Sequence, residues 1–163
     1  MSRQSPWDET FAKTLIAAHQ HKEGAMLPIL HALQNEFGYV DEAAIPLIAD
    51  ALNLSKAEVL GTLSFYHDFR QAPAGRRVIK LCRAEACQAV GCEALVEEAK
   101  TAHGVIIDAA APQSDITFET VYCLGNCALG PAALVDGDLV GRIDAAKLAA
   151  LLDPSGSQAG ERA

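Results

Sequence analysis

Cys123-Leu124-Gly125-Asn126-Cys127-Ala128-Leu129-Gly130-Pro131 reads as a loop whose backbone matters as much as its sulfur. Gly125 and Gly130 give it freedom to take positive φ. A loop that curls around a centre aims its peptide N–H groups inward, forming a concavity suited to thiolate or sulfide. Upstream, Cys82 and Cys87 form a second short cluster, Cys-x4-Cys against Cys-x3-Cys, with enough chain between the two for a helix and a strand. Two such pairs can converge as four thiolates around one soft metal centre, zinc or an iron-sulfur cluster. Zinc knuckles usually close with a tighter Cys-x2-Cys, so the spacing favours iron-sulfur while leaving zinc open.

Structural disulfides are disfavoured by the surroundings. The chain has five cysteines, an odd number. Its N-terminus lacks an apolar signal region, and Asp8 and Glu9 argue against an organellar transit peptide. No apolar run approaches a membrane span. A reduced, cytoplasmic setting is therefore expected. At 163 residues, half of them apolar, the chain can bury a core as one domain or two small ones. A net charge of -8 disfavours nucleic acid, whose phosphates call for basic patches, and no basic amphipathic helix suggests direct membrane contact. Proteins and a metal centre are the expected partners.

Working outward, periodicity breaks at residues 70–77, Arg-Gln-Ala-Pro-Ala-Gly-Arg-Arg. Ahead of it lie four helix signals. Ser5 and Pro6 read as the N-cap and first residue of a helix that turns Phe11, Leu15 and Ile16 inward. Leu27, Leu30, Leu33 and Phe37 repeat at helical spacing and stop at Gly38. Asp41 is placed to cap a third helix with Ile45, Ile48, Ala49 and Leu52 on its buried stripe. Ser55-Lys-Ala-Glu58 is a capping box for a fourth. This half carries no obvious chemistry and reads as a structural bundle or docking surface. After the break, Val78–Leu81 is a strand ending at Cys82, Cys92–Ala102 a helix, and Ile116–Tyr122 a strand ending at Cys123. If the two strands are parallel neighbours, both cysteine loops leave one edge of one sheet and the four sulfurs can meet. Residues 132–135 and 138–140 form a hairpin about Asp136-Gly137. Asp144 caps a last helix through Leu152, and the order βα, β, hairpin, α is thioredoxin-like.

The two cysteine clusters, together with Glu36-Phe-Gly-Tyr39 and Phe65-Tyr66-His67-Asp68-Phe69, resemble the thioredoxin-like 2Fe-2S ferredoxin family over about residues 10–152. That family includes the flavin-side small subunit of respiratory complex I, the diaphorase small subunit of NAD-reducing hydrogenases and the gamma subunit of NAD-dependent formate dehydrogenases. With the helix and strand signals above, the resemblance gives an α+β fold: an N-terminal helical bundle over 1–73 and a thioredoxin-like 2Fe-2S ferredoxin domain over 74–153, while the polar composition of 154–163 reads as a disordered tail. The resemblance makes Cys82, Cys87, Cys123 and Cys127 the ligands of one 2Fe-2S cluster, and lifts iron-sulfur over zinc. Cys92, five residues beyond Cys87, reads as a small buried helix residue rather than a competing ligand. The filling Arg83-Ala84-Glu85 stands where complex I and hydrogenase members have a Thr- and Gly-rich one. Together with the short C-terminus, it points to the formate dehydrogenase gamma subunit, with the complex I and hydrogenase subunits as alternatives.

The resemblance implies a non-catalytic electron-transfer subunit. Its partners would be a flavoprotein subunit binding FMN and NAD(H) and, in the formate enzyme, a larger iron-sulfur subunit holding a molybdenum cofactor. The residues agree that this chain does no hydride chemistry of its own. No G-x-G-x-x-G follows a strand, and Gly125-x4-Gly130 runs into Pro131 rather than Lys-Ser/Thr. His19, His21, His31, His67 and His103 are scattered. Two readings of another class stand beside it. A zinc-stabilised interaction module would be colourless and redox-silent. A thiol oxidoreductase would want Cys-x-x-Cys at a helix start, which is missing. Phe65 and Tyr66 are expected to pack between the two halves rather than to conduct electrons.

Overall fold

The computed structural model describes residues 5–109 and 115–153; the tail expected over 154–163 lies outside the described residues. The chain divides into two compact units, Met1–Pro73 and Ala74–Ala163.

Four helices build the first unit. α1 (Glu9–His19) opens at Asp8, whose carboxylate accepts the N–H of Phe11. Ser5, expected to be the cap, instead donates its hydroxyl to the Glu36 carboxylate. A shorter helix also turns the face. Ala12 and Ile16 are buried, whereas Phe11 is 42% exposed and meets Phe37 edge-on. α2 (Met26–Phe37) stops at Gly38, φ 82°, as expected. Asp41 caps the turn that leads into α3 (Ala44–Leu52), accepting the N–H of Ala43. Pro28 and Pro46 are the third residues of α2 and α3, where an N–H would have no partner within the helix anyway. At α4 (Lys56–Phe65) both halves of the Ser55–Glu58 capping box are present. Ile29, Leu30, Leu33, Phe37, Val40, Ile48, Val59 and Leu63 form the core of this unit. The chain that leaves it is pinned by Gln34, whose side-chain amide donates to the Asp68 carbonyl and accepts the N–H of Arg70.

The second unit is a four-stranded mixed sheet in the order β2-β1-β3-β4. β1 (Arg77–Cys82) and β2 (Ile116–Val121) are parallel neighbours, in register from Arg77 opposite Ile116 to Cys82 opposite Val121. Between them run α5 (Glu85–Ala89) and α6 (Cys92–His103). β3 (Ala133–Val135) pairs antiparallel with β1, and β4 (Asp138–Val140) with β3. The hairpin turn has Asp136 and Gly137 both at positive φ, the geometry a two-residue turn between twisted strands demands. α7 (Ala145–Leu152) is capped by Asp144, which accepts the N–H of Lys147. Ile79, Leu81, Phe118 and Ala133 of the sheet pack with Leu95, Val96 and Ala99 of α6 and Leu148 and Leu152 of α7. The α+β class and the strand and helix order expected from the sequence are present, with α5 added. Among the described residues no helix is long and apolar enough to cross a membrane.

Candidate metal centre

Because β1 and β2 are parallel and in register, both cysteine loops start at the same edge of the sheet. The first is anchored at each turn. The Cys82 N–H donates to the Ala132 carbonyl (2.9 Å) and the Arg83 N–H to the Val121 carbonyl (2.9 Å), tying the loop to the end of β2. α5 then carries Cys87, and Gln88 donates its amide back to the Arg83 carbonyl (2.9 Å).

The second loop leaves β2 with Cys123 at φ 65° and Gly125 at φ 77°. A left-handed conformation at a non-glycine residue costs about 1–2 kcal/mol, so the rest of the loop has to enforce it. A 3-10 turn over Cys127–Leu129 follows, closed by the Leu129 N–H on the Asn126 carbonyl (3.0 Å). The segment after β4 buttresses this turn from behind. The Arg142 N–H donates to the Leu129 carbonyl (2.6 Å) and the Ile143 N–H to the Pro131 carbonyl (3.0 Å). The approach is so close that a Cβ on Gly141 would lie 2.7 Å from the Leu129 carbonyl oxygen and 2.9 Å from the Asn126 side-chain nitrogen. Gly141 is thus a supporting residue of the site that sequence reading missed; a glycine after a short strand carries no local sign of a distant contact.

The two loops meet. Cys82 and Cys87 are each only 2% exposed, while Cys123 and Cys127 are open to solvent. The second loop passes directly over the first pair: a Cβ on Gly130 would sit 3.5 Å from the Cys87 sulfur. Burial works against ionising Cys82. The N–H of Ala84, the Cys87 thiol and the N–H groups of Cys123 and Leu124 outweigh it and bring the pKa below its ordinary value. Two of those donors come from the opposite loop, the inward-facing amide arrangement expected of it; Gly125 takes the positive φ read from the sequence, whereas Gly130 is extended at φ −67°. Burial pushes Cys87 up, and negative charge at Cys82 and Cys127 pushes it further against one N–H from Ala132. Cys127 is raised by its hydrogen bond and charge interaction with Cys123, and by Cys82.

Cys87 and Cys127 resist ionisation in part because of negative charge on neighbouring thiols, while Cys82 sits among N–H donors; a cationic centre would relieve that repulsion. Among the described residues, no three or more His, Cys, Asp or Glu side chains surround a single metal position. The contacts run pairwise, Cys82 with Cys87 and Cys123 with Cys127. Two thiolates on each of two irons is the division a [2Fe-2S] cluster uses, so the residues present fit that group.

Cys92 behaves differently. It is wholly buried, packs against Cys82 and Cys87, and burial pushes its thiol up to about 11. It keeps its proton at neutral pH, as a core residue would. Around the mouth of the site, Val90, Tyr122 and Leu129 are exposed apolar side chains. In the helical unit Phe65 is 72% exposed and meets Tyr66 edge-on. The histidines do not gather: His19 contacts the Leu15 carbonyl and His31 stacks edge-on with Phe69.

Comparison with known proteins gives a family match and individual likenesses. Residues 12–155 match the family described as thioredoxin-like [2Fe-2S] ferredoxin. The chain is 32% identical over 137 residues to the E 2 subunit of NADH-quinone oxidoreductase from Rhizobium meliloti, covering 84% of this chain and 82% of that protein. It is 31% identical over 122 residues to the NADP-reducing hydrogenase subunit HndA of Solidesulfovibrio fructosivorans, covering 75% of this chain and 71% of that one. Among solved structures it resembles a chain of the NAD+-reducing [NiFe]-hydrogenase in the air-oxidized state, with a TM-score of 0.65 and 27% identity. That likeness covers 78% of this chain but only 22% of the hydrogenase chain.

Proposed function

The chain belongs to the thioredoxin-like [2Fe-2S] ferredoxin family, and from that premise we propose that it is a non-catalytic electron-transfer subunit whose cluster is held by Cys82, Cys87, Cys123 and Cys127. The observation that carries the assignment is the meeting of the two loops, with the N–H groups of Cys123 and Leu124 directed at Cys82. When bound, a [2Fe-2S] cluster supplies a one-electron store. The chain's own residues do the rest. Ala84, Cys123, Leu124 and Ala132 offset negative charge at the sulfurs through their N–H groups, which is one of the levers that set a cluster's potential. Buried Cys82 and Cys87 anchor the inner side. Exposed Cys123 and Cys127 form the side toward a partner, and Val90, Tyr122 and Leu129 exclude water from the contact once one docks.

The relatives are named for reactions of a nicotinamide, and this sequence has no dinucleotide fingerprint. Hydride chemistry therefore falls to a partner, a flavoprotein subunit binding FMN and NAD(H), with this chain passing single electrons beside it. For the parent assembly we favour an NADH-quinone oxidoreductase or an NAD(P)-reducing hydrogenase. The formate dehydrogenase gamma subunit, read from Arg83-Ala84-Glu85 and the short C-terminus, is less well supported; the relatives named above fit the alternatives better, and none of their names brings in a molybdenum-bearing partner. The helical unit 1–73 is assigned to docking and the unit 74–153 to the cluster, in the cytoplasm. The family match favours the iron-sulfur reading over the zinc one.

The test is reduction by NADH. The purified chain alone should stay oxidised in NADH, and the same chain co-purified with its flavoprotein subunit should bleach. Isolation of the native assembly, followed by assays with quinone, hydrogen and formate, identifies the parent. A chain that oxidised NADH unaided, or stayed oxidised in the complex, would overturn the proposal.

A further inference from the structure

The first cysteine loop holds an ion pair that the ligand set does not account for. Arg83, the residue after Cys82, donates from Nε and from one terminal guanidinium nitrogen to the two carboxylate oxygens of Glu93, each at 2.8 Å. Glu93 in turn follows the buried Cys92 in the first turn of α6. The geometry is the fork-on-fork pairing in which a guanidinium is held at both ends. Arg83 is fixed at its backbone as well, by its N–H on Val121 and by Gln88 on its carbonyl. The Arg83 side chain is 28% exposed and that of Glu93 48%. The pair also touches the cysteine cluster: the Cys92 thiol lies 3.9 Å from a Glu93 carboxylate oxygen, and Cys92 packs against Cys82 and Cys87.

We infer that Arg83 and Glu93 are positioning residues that hold two opposite charges beside Cys82, and so set the reduction potential of the centre. Adding an electron to the centre adds negative charge there. A nearby cation favours that step and a nearby anion opposes it, most strongly where water is partly excluded. In the intact pair the two largely cancel. Removing either one leaves its partner acting alone, so the two single substitutions must move the potential in opposite directions.

This inference rests on the cluster assignment, so iron and sulfide are measured first in each variant of the full chain, followed by an EPR-monitored redox titration. Glu93→Gln leaves the guanidinium unopposed and should raise the potential. Arg83→Gln leaves the carboxylate unopposed and should lower it. The double variant should return toward the wild-type value, and Arg83→Lys, which keeps the charge, should stay near it. If Arg83→Gln fails to hold iron, Glu93→Gln and Arg83→Lys still decide the matter. A pair that only braces the loop would lower iron content in every variant without shifts of opposite sign. Iron-loaded variants with unmoved potentials, or with shifts of the same sign, would overturn the inference. A wild-type chain that takes up no iron and sulfide would instead overturn the cluster assignment beneath it.

Discussion

Gly141→Ala should damage the metal centre from a position that no ligand pattern marks. The new Cβ would stand 2.7 Å from the Leu129 carbonyl oxygen and 2.9 Å from both the Asn126 side-chain nitrogen and the Leu129 Cβ. Comfortable contacts lie at about 3.5 Å or more, so the buttress and the loop must part by about 0.5–1 Å. Overpacking of this kind costs about 1–3 kcal/mol. The same movement stretches the bond from the Arg142 N–H to the Leu129 carbonyl, for which a further cost of about 0.5–1.5 kcal/mol is the right order of magnitude. The part that moves is the 3-10 turn that begins with Cys127. The variant should therefore unfold at lower urea concentration and lose iron faster under a fixed chelator challenge than wild type. Gly24→Ala is the control. Gly24 also sits at positive φ, 65°, with nothing within 4 Å of the place its new methyl would take, and it lies in the helical unit. It should lose about 1 kcal/mol of stability, through backbone strain, without faster iron loss. A Gly141→Ala protein matching wild type in both stability and iron retention would refute the reasoning.

Other outcomes follow from the same structure. Cys123→Ser or Cys127→Ser should give chains depleted in iron and visible absorbance, whereas Cys92→Ala should keep the full iron complement and lose about 1–2 kcal/mol through its small cavity; peptide mapping after iodoacetamide treatment should find Cys92 unlabelled in the native protein and labelled in urea. Ser55→Ala should cost the helical unit about 1 kcal/mol in urea unfolding while leaving iron content unchanged. Glu58 is held below its ordinary value of 4.5 by hydrogen bonds from the Ser55 N–H and hydroxyl. A carboxyl depressed on folding adds stability that is complete above its unfolded value and lost as the pH falls through its folded one. Glu58→Gln should accordingly be less stable than wild type at neutral pH and converge with it in acid, and a gap that widened in acid would contradict the sign.

What was legible in the sequence was local. Gly38 ends α2 and the Ser55–Glu58 box opens α4 because each signal acts within one turn of backbone. Asp136-Gly137 specified its hairpin for the same reason. The parallel pairing of β1 and β2 followed from a strand, a helix and a strand in succession, for which a right-handed crossover is the usual solution. The misses have physical causes too. Ser5-Pro6 and Asp8 both make acceptable helix starts, and the choice fell to the distant Glu36, which takes the Ser5 hydroxyl. α5 has five residues, too few for any periodicity to register. Gly141 acts through a contact with Asn126 and Leu129, more than ten positions away. The formate dehydrogenase reading leaned chiefly on three residues, Arg83, Ala84 and Glu85. In the structure they serve the loop itself: Arg83 clamps Glu93, Ala84 offers its N–H to Cys82, and Glu85 begins α5.

The most direct test of the central claim is the visible and EPR spectrum of the anaerobically purified chain, before and after dithionite, with iron, sulfide and zinc analysed on the same sample. The expected result is a brown protein with two irons and two sulfides per chain, silent in EPR when oxidised and showing a rhombic signal when reduced. A colourless protein holding one zinc, with no signal in either state, would contradict it.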